Sequence, residues 1–172
     1  MTQITSKICV VGDFAVGKTS VIERFVSNQF SEKYLTTVGV KIDTKEISLA
    51  ERGISVKLII WDVAGAEEFG AKEFAYLRGA TGFIFVVDGT REQTLISAQN
   101  LRNQIREKYG VLPAVLLLNK CDLSGMWRID NEKIEPLRAD FDEVYRTSAK
   151  TGVDVEVALS MLANLIVTQD LR

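Results

Sequence analysis

At 172 residues, with 47% hydrophobic and 26% charged side chains, the chain has the composition of a packed globular protein and a length that suits one domain rather than two. A formal net charge of −2 offers nucleic acid no general attraction, and the lack of any histidine excludes His-based acid–base catalysis and a His-ligated zinc site. Cys9 and Cys121 lie far apart without metal-ligand spacing, and are expected to be reduced thiols serving as small apolar filler. The opening Met1-Thr2-Gln3-Ile4 has no charged stretch followed by a long apolar run, so no signal peptide is expected. Apolar runs such as Val111–Leu118 fall far below the ~20 residues needed to span a bilayer. Thr2 stands where myristoylation requires glycine, and no cysteine ends the chain for prenylation. The expectation is a cytoplasmic monomer with no membrane anchor in this chain, reaching a membrane only through a lipidated tail beyond Arg172.

In chain order, Lys7–Val11 reads as a short buried strand, and Lys18–Asn28 as a helix with Val21, Ile22, Phe25 and Val26 at helical spacing. Val40–Leu49 and Ile54–Trp61 read as strands joined by the hairpin signal Ala50-Glu51-Arg52-Gly53. Phe83–Val87 and Ala114–Leu118 are continuous apolar runs, the pattern of strands covered on both faces. Gln93–Lys108 and Val153–Thr168 read as amphipathic helices, Glu143–Arg146 as a sixth strand, and Asn131–Leu137 as a short helix. Alternating strands and helices predict an α/β fold with a mostly parallel sheet and helices on both faces.

The segment Gly12-Asp13-Phe14-Ala15-Val16-Gly17-Lys18-Thr19 matches G-x-x-x-x-G-K-[ST], and it follows a predicted strand and opens a predicted helix. Glycines let the backbone curl so that amide N–H groups face phosphate oxygens, and the helix N-terminus adds partial positive charge. Lys18 brings a full charge to the β- and γ-phosphates, and the Thr19 hydroxyl is a hard oxygen donor for Mg²⁺. Such loops serve adenine and guanine alike. The choice falls to Asn119-Lys120-Cys121-Asp122 at the end of the Ala114–Leu118 strand, where open α/β sheets place ligands. An ionised Asp122 only accepts hydrogen bonds; guanine offers it N1–H and a 2-amino group, whereas adenine presents a lone pair. Two further segments end strands: Asp62-Val63-Ala64-Gly65, where the carboxylate can hold Mg²⁺ through water and the Gly65 N–H can approach a γ-phosphate, and Thr147-Ser148-Ala149-Lys150, where the Ala149 N–H can reach guanine O6. Each of the last three segments is by itself an ordinary turn. All four, in this order and at these strand ends, carry the argument.

With these motifs the chain resembles the Ras superfamily of small GTPases from Lys7 to Leu165, and within it the Rab family. Val38-Gly39-Val40-Lys41-Ile42, Lys57–Asp62 and Tyr76–Gly82 carry the Rab likeness. The resemblance implies a P-loop small-GTPase (G-domain) fold with a six-stranded, mostly parallel sheet, and a GTP/GDP switch with Mg²⁺ that hydrolyses GTP. It implies nucleotide contacts from Asp13, Phe14, Ala15, Val16, Gly17, Lys18, Thr19 and Ser20, and from Gly65, Asn119, Lys120, Asp122, Ser148, Ala149 and Lys150. It matches Thr37 to the threonine that binds Mg²⁺ and the γ-phosphate, Tyr34 to the tyrosine that closes over the phosphates, and Phe30 to the aromatic that packs on the base. For Phe30 the alternative is a residue that ends the first helix against the core. Thr19, Thr37 and Asp62 would be the Mg²⁺ set, and Lys18, Thr37 and Gly65 the groups acting on the γ-phosphate. Effectors, exchange factors and activating proteins are the implied partners, met through the two switch loops and through Ile42, Trp61 and Tyr76.

Three positions depart from the family pattern. Ala66 stands where the family carries the glutamine that orients the attacking water, so slow hydrolysis is expected; Glu67 and Glu68 beside it would place negative charge near the γ-phosphate. Phe14 occupies a position that is glycine in Ras; its ring either crowds the γ-phosphate or turns outward. Ile42 replaces the usual Rab phenylalanine in the aromatic patch. Ala66 and Phe14 keep a second reading open, a scaffold that holds GTP and scarcely turns it over. The base-reading segment argues against a third, an ATP-dependent P-loop kinase or ATPase.

Overall fold

The computed structural model describes residues 1–30, 39–65 and 69–170. Among these, β1 (Thr2–Val11), β2 (Val40–Leu49), β3 (Ile54–Val63), β4 (Gly82–Asp88), β5 (Ala114–Asn119) and β6 (Glu143–Arg146) form one sheet in the order β2-β3-β1-β4-β5-β6. Only β2 and β3 pair antiparallel; β1 with β3, β1 with β4, β4 with β5 and β5 with β6 are parallel. The hairpin between β2 and β3 closes through a single 3₁₀ turn at Ala50–Arg52.

The helices are α1 (Lys18–Ser27), α2 (Ala71–Tyr76), α3 (Glu92–Tyr109), α4 (Asn131–Ile134) and α5 (Val155–Asp170). The alternation along β1 sorts them onto two faces. Ile8 and Val10 point to the side covered by α1 and α5, through Val21, Ile22, Phe25, Leu159, Leu162 and Ile166. Cys9 and Val11 point to the other side, under Leu77 at the end of α2, Leu95, Leu101 and Ile105 of α3, and Ile134 of α4. This is the predicted two-faced arrangement. β4 and β5 are buried at every position, which is why they read as unbroken apolar runs. Phe83 and Phe85 are fully buried, and Phe85 meets Phe141 edge to face at 5.3 Å; burying each such ring stabilises by roughly 2–3 kcal/mol. Cys9 is buried filler as expected, and burial pushes its thiol up to about 12 despite the opposing pull of Lys7.

Five parallel strands share one direction, so their C-terminal ends lie along one edge of the sheet. Chain connections leave β1 toward β3 on one side and reach β4 on the other, and a ligand crevice is expected at that reversal. Among the described residues no helix is long and apolar enough to cross a membrane.

Candidate functional site

From the end of β1 the chain curls through Gly12–Gly17 into α1. Ala15 (φ 65°) and Gly17 (φ 101°) take left-handed conformations, the kind of reversal that turns successive amides toward one side. The carbonyls of this loop are held by side chains. Lys18 Nζ donates to Gly12 O (3.0 Å) and Asp13 O (2.8 Å), Arg91 Nη2 to Phe14 O (2.9 Å), Lys120 Nζ to Ala15 O (2.9 Å), and Asn119 Nδ2 to Val16 O (3.0 Å). Lys18 is only 6% exposed. Burial draws its pKa down to about 8, with Asp62 and Asp13 opposing that shift and Arg91 adding to it. An anion in the loop would relieve this cost.

Gly17 is required for a second reason. A Cβ there would lie 2.5 Å from Asn119 Nδ2, and the φ is one that L side chains rarely adopt. Gly17→Ala is therefore expected to destabilise the protein by about 2 kcal/mol, read as a lowered thermal midpoint. An unchanged midpoint would mean that Asn119 is not held against the loop.

At the mouth of the loop the Thr19 hydroxyl donates to Asp62 Oδ2 at 2.6 Å. Both are hard oxygen donors, brought together from α1 and the end of β3. Gly65 follows directly and lies against the loop: a Cβ on it would meet Phe14 N at 2.6 Å and the Asp13 carbonyl carbon at 2.8 Å. Those are backbone atoms, so no side chain could swing away to make room. The Phe14 side chain is 53% exposed. Ser20 lies in the first turn of α1.

The base-reading segment is fixed from behind. Asn119 is buried, and its Oδ1 accepts from Thr147 Oγ1 at 3.2 Å. Cys121 N donates to Thr147 O at 3.0 Å, which joins the β5 and β6 loops. Asp122 is exposed, and its Oδ1 accepts from the buried Ser148 hydroxyl at 2.8 Å. Ala149 is buried, and Arg24 Nε donates to its carbonyl at 2.8 Å, pinning the β6 loop to α1; the neighbouring Lys150 is exposed. Phe30 is partly buried against the core on the α1–α5 side, and its remaining surface is open to solvent. Tyr34, Thr37 and Ala66 lie outside the described residues.

Sequence reasoning did not single out Asp88, Arg91 or Arg24. Asp88 ends β4 and is paired in register with Asn119, which ends β5. That shared position was the available signal. Its Oδ2 accepts from Lys120 Nζ (2.8 Å) and Arg91 Nε (3.0 Å), and its Oδ1 from the Thr90 amide (2.9 Å) and hydroxyl (2.6 Å). Burial opposes ionisation of Asp88, but the hydrogen bonds from Lys120, Thr90 and Arg91 outweigh it and hold the carboxyl below its ordinary range. Away from the loop, Ile42 (50% exposed) stands opposite Trp61 in the β2–β3 register. Trp61 and Tyr76 rings lie 6.5 Å apart, and Lys7 Nζ sits 3.7 Å over the Trp61 ring.

Strand-end loops in this order, around a sheet of this topology, define the small-GTPase class of P-loop folds. A family model described as the Ras family matches residues 7–168. Similar proteins include Ras-related protein Rab-13 of Rattus norvegicus, 38% identical over 161 residues that cover 91% of this chain and 77% of that protein. Rab-32C of Dictyostelium discoideum is 36% identical over 167 residues (95% and 74% covered), and Rab-8B of Homo sapiens 34% over 165 residues (95% and 79%). The chain belongs to the Ras family and is Rab-like within it. Members of this family bind guanine nucleotides, typically with Mg²⁺, and act through regulators and effectors.

Proposed function

We propose that this chain is a guanine-nucleotide switch in which residues 1–172 form a single domain, binding GTP or GDP with Mg²⁺ and hydrolysing GTP slowly. The observation that carries the reading is the buried Lys18 beside the paired Thr19 and Asp62, 2.6 Å apart at the mouth of a loop with capped carbonyls. Amides from Asp13 to Ser20 receive the phosphates. The exposed Asp122 carboxylate accepts from guanine N1–H and the 2-amino group, the Ala149 amide donates to O6, and the stems of Lys120 and Lys150 flank the base. Phe30 and Tyr34 complete the nucleotide contacts. Thr19 and Thr37, with Asp62 through a water, are the donors that suit Mg²⁺, which when bound neutralises charge on the phosphate oxygens. Among the described residues no group of three or more His, Cys, Asp or Glu could hold a metal by itself, and Mg²⁺ shared with phosphates needs no such cage.

Thr37 and Gly65 donate to the γ-phosphate and order the two switch loops for effectors; loss of that phosphate releases them. Exchange-factor and activating proteins act on the same loops, and Ile42, Trp61 and Tyr76 extend the surface.

Ala66 favours a second reading, a GTP-holding scaffold with negligible turnover, because a methyl group cannot orient water. Single-turnover hydrolysis of GTP by the natural chain and by Ala66→Gln decides between them. The switch reading expects slow but measurable turnover, with the glutamine accelerating it about 10- to 1000-fold. No turnover in the natural chain selects the scaffold. A natural chain as fast as the variant contradicts the assigned deficit, and one that takes up no guanine nucleotide overturns both readings.

A further inference from the structure

The loop Gly12–Val16 presents five consecutive carbonyls, each held by a side-chain donor, and these donors come from four residues. Lys18 supplies two caps from within the loop's own helix. Asn119 and Lys120 supply two more from the end of β5. The remaining carbonyl, that of Phe14, accepts from Arg91.

Arg91 is not held by that contact alone. Its Nε is anchored on Asp88 Oδ2, the oxygen that also receives Lys120. One buried carboxylate therefore aims two cations at two adjacent loop carbonyls, Phe14 O through Arg91 and Ala15 O through Lys120. The fork of the guanidinium suits this task, since separate N–H groups on one rigid plane can meet the carboxylate and the carbonyl together.

We propose that Arg91, oriented by Asp88, is a positioning residue for phosphate binding: it fixes the Phe14 peptide so that the amides of the loop keep the curvature a bound β-phosphate requires. This rests on the nucleotide reading above. Arg91 touches no phosphate in this account and acts only through the loop backbone. Truncating it leaves Asp88 with Lys120 and Thr90, so the buried carboxylate stays paired and the fold survives. Because Arg91 lies at the rim, its side chain 44% exposed, the effect is moderate rather than complete.

The test compares GDP with GMP, which lacks the β-phosphate. In Arg91→Ala, GDP release measured by chase of a fluorescent analogue should be about tenfold faster, the scale of one charge-assisted hydrogen bond. GMP affinity, measured by competition, should change less than about twofold, and Arg91→Lys should recover most of the GDP loss because its ammonium still reaches one partner. GDP release unchanged in Arg91→Ala would overturn the proposal. So would an equal loss for both nucleotides with a lowered thermal midpoint, which marks general destabilisation. If the unaltered protein bound no GDP, the nucleotide reading would fail and this inference with it.

Discussion

Replacing Lys18 with methionine should lower GDP and GTP affinity about 10³-fold, equivalent to ~4 kcal/mol. Methionine keeps most of the buried stem, so core packing changes little. Two things are lost with the ammonium. On the proposed reading its charge acts on the phosphates from a site that is 6% exposed, where water screens little. It also holds the Gly12 and Asp13 carbonyls, so its removal loosens the loop it serves. Burial already draws the free ammonium's pKa down to about 8, and phosphate binding repays that penalty. Titration with a fluorescent GDP analogue measures the outcome. Affinity within a few-fold of the natural chain would remove Lys18 from the phosphate site, and with it the reading of the whole loop.

Asp122→Asn should invert the preference between guanine and xanthine nucleotides. Asp122 Oδ1 accepts from the Ser148 hydroxyl, and the amide oxygen of asparagine can keep that bond. The other oxygen becomes a donating NH₂. The retained oxygen still accepts from N1–H of either base; against guanine the new donor meets the donating 2-amino group, and against xanthine it meets the 2-carbonyl. A site that leaves a buried donor facing a donor discriminates by ~10⁴-fold. Competition between GTP and xanthosine triphosphate reads this directly, and a variant that still prefers GTP would show that another group reads the base.

The parts of the fold that could be read from residues alone are those where both faces of an element are covered. β4 and β5 are such elements, and they extend their predicted runs by only one or two residues. β1 was legible only in its second half. Ile8–Val10 has neighbours on both sides, whereas Thr2–Lys7 pairs with β3 alone and carries polar residues. An element that is half covered leaves a mixed pattern. The stretch after Met126 was hardest because α4 has four residues before it tightens into a 3₁₀ turn at Glu135–Ala139, too few to display a helical period. Within the site, motif positions were legible because phosphate and base chemistry restrict the residue types. Asp88 and Arg91 were not, since an acid ending a strand and an arginine opening a helix are ordinary. Only their meeting at the Phe14 and Ala15 carbonyls gives them a task.

The long reach of those caps has a consequence for synthesis. Arg91, Asn119 and Lys120 stand 77, 103 and 105 residues from the carbonyls they hold. A growing chain stopped after α3 would carry every letter of the phosphate motif while lacking two of the side chains that shape it. Closing contacts of such separation is slow. On the nucleotide reading, the ability to hold a nucleotide would arrive late on the ribosome, once β5 has emerged and paired with β4. Until then the loop is a sequence without a cradle, and free nucleotide cannot template the first half of the protein.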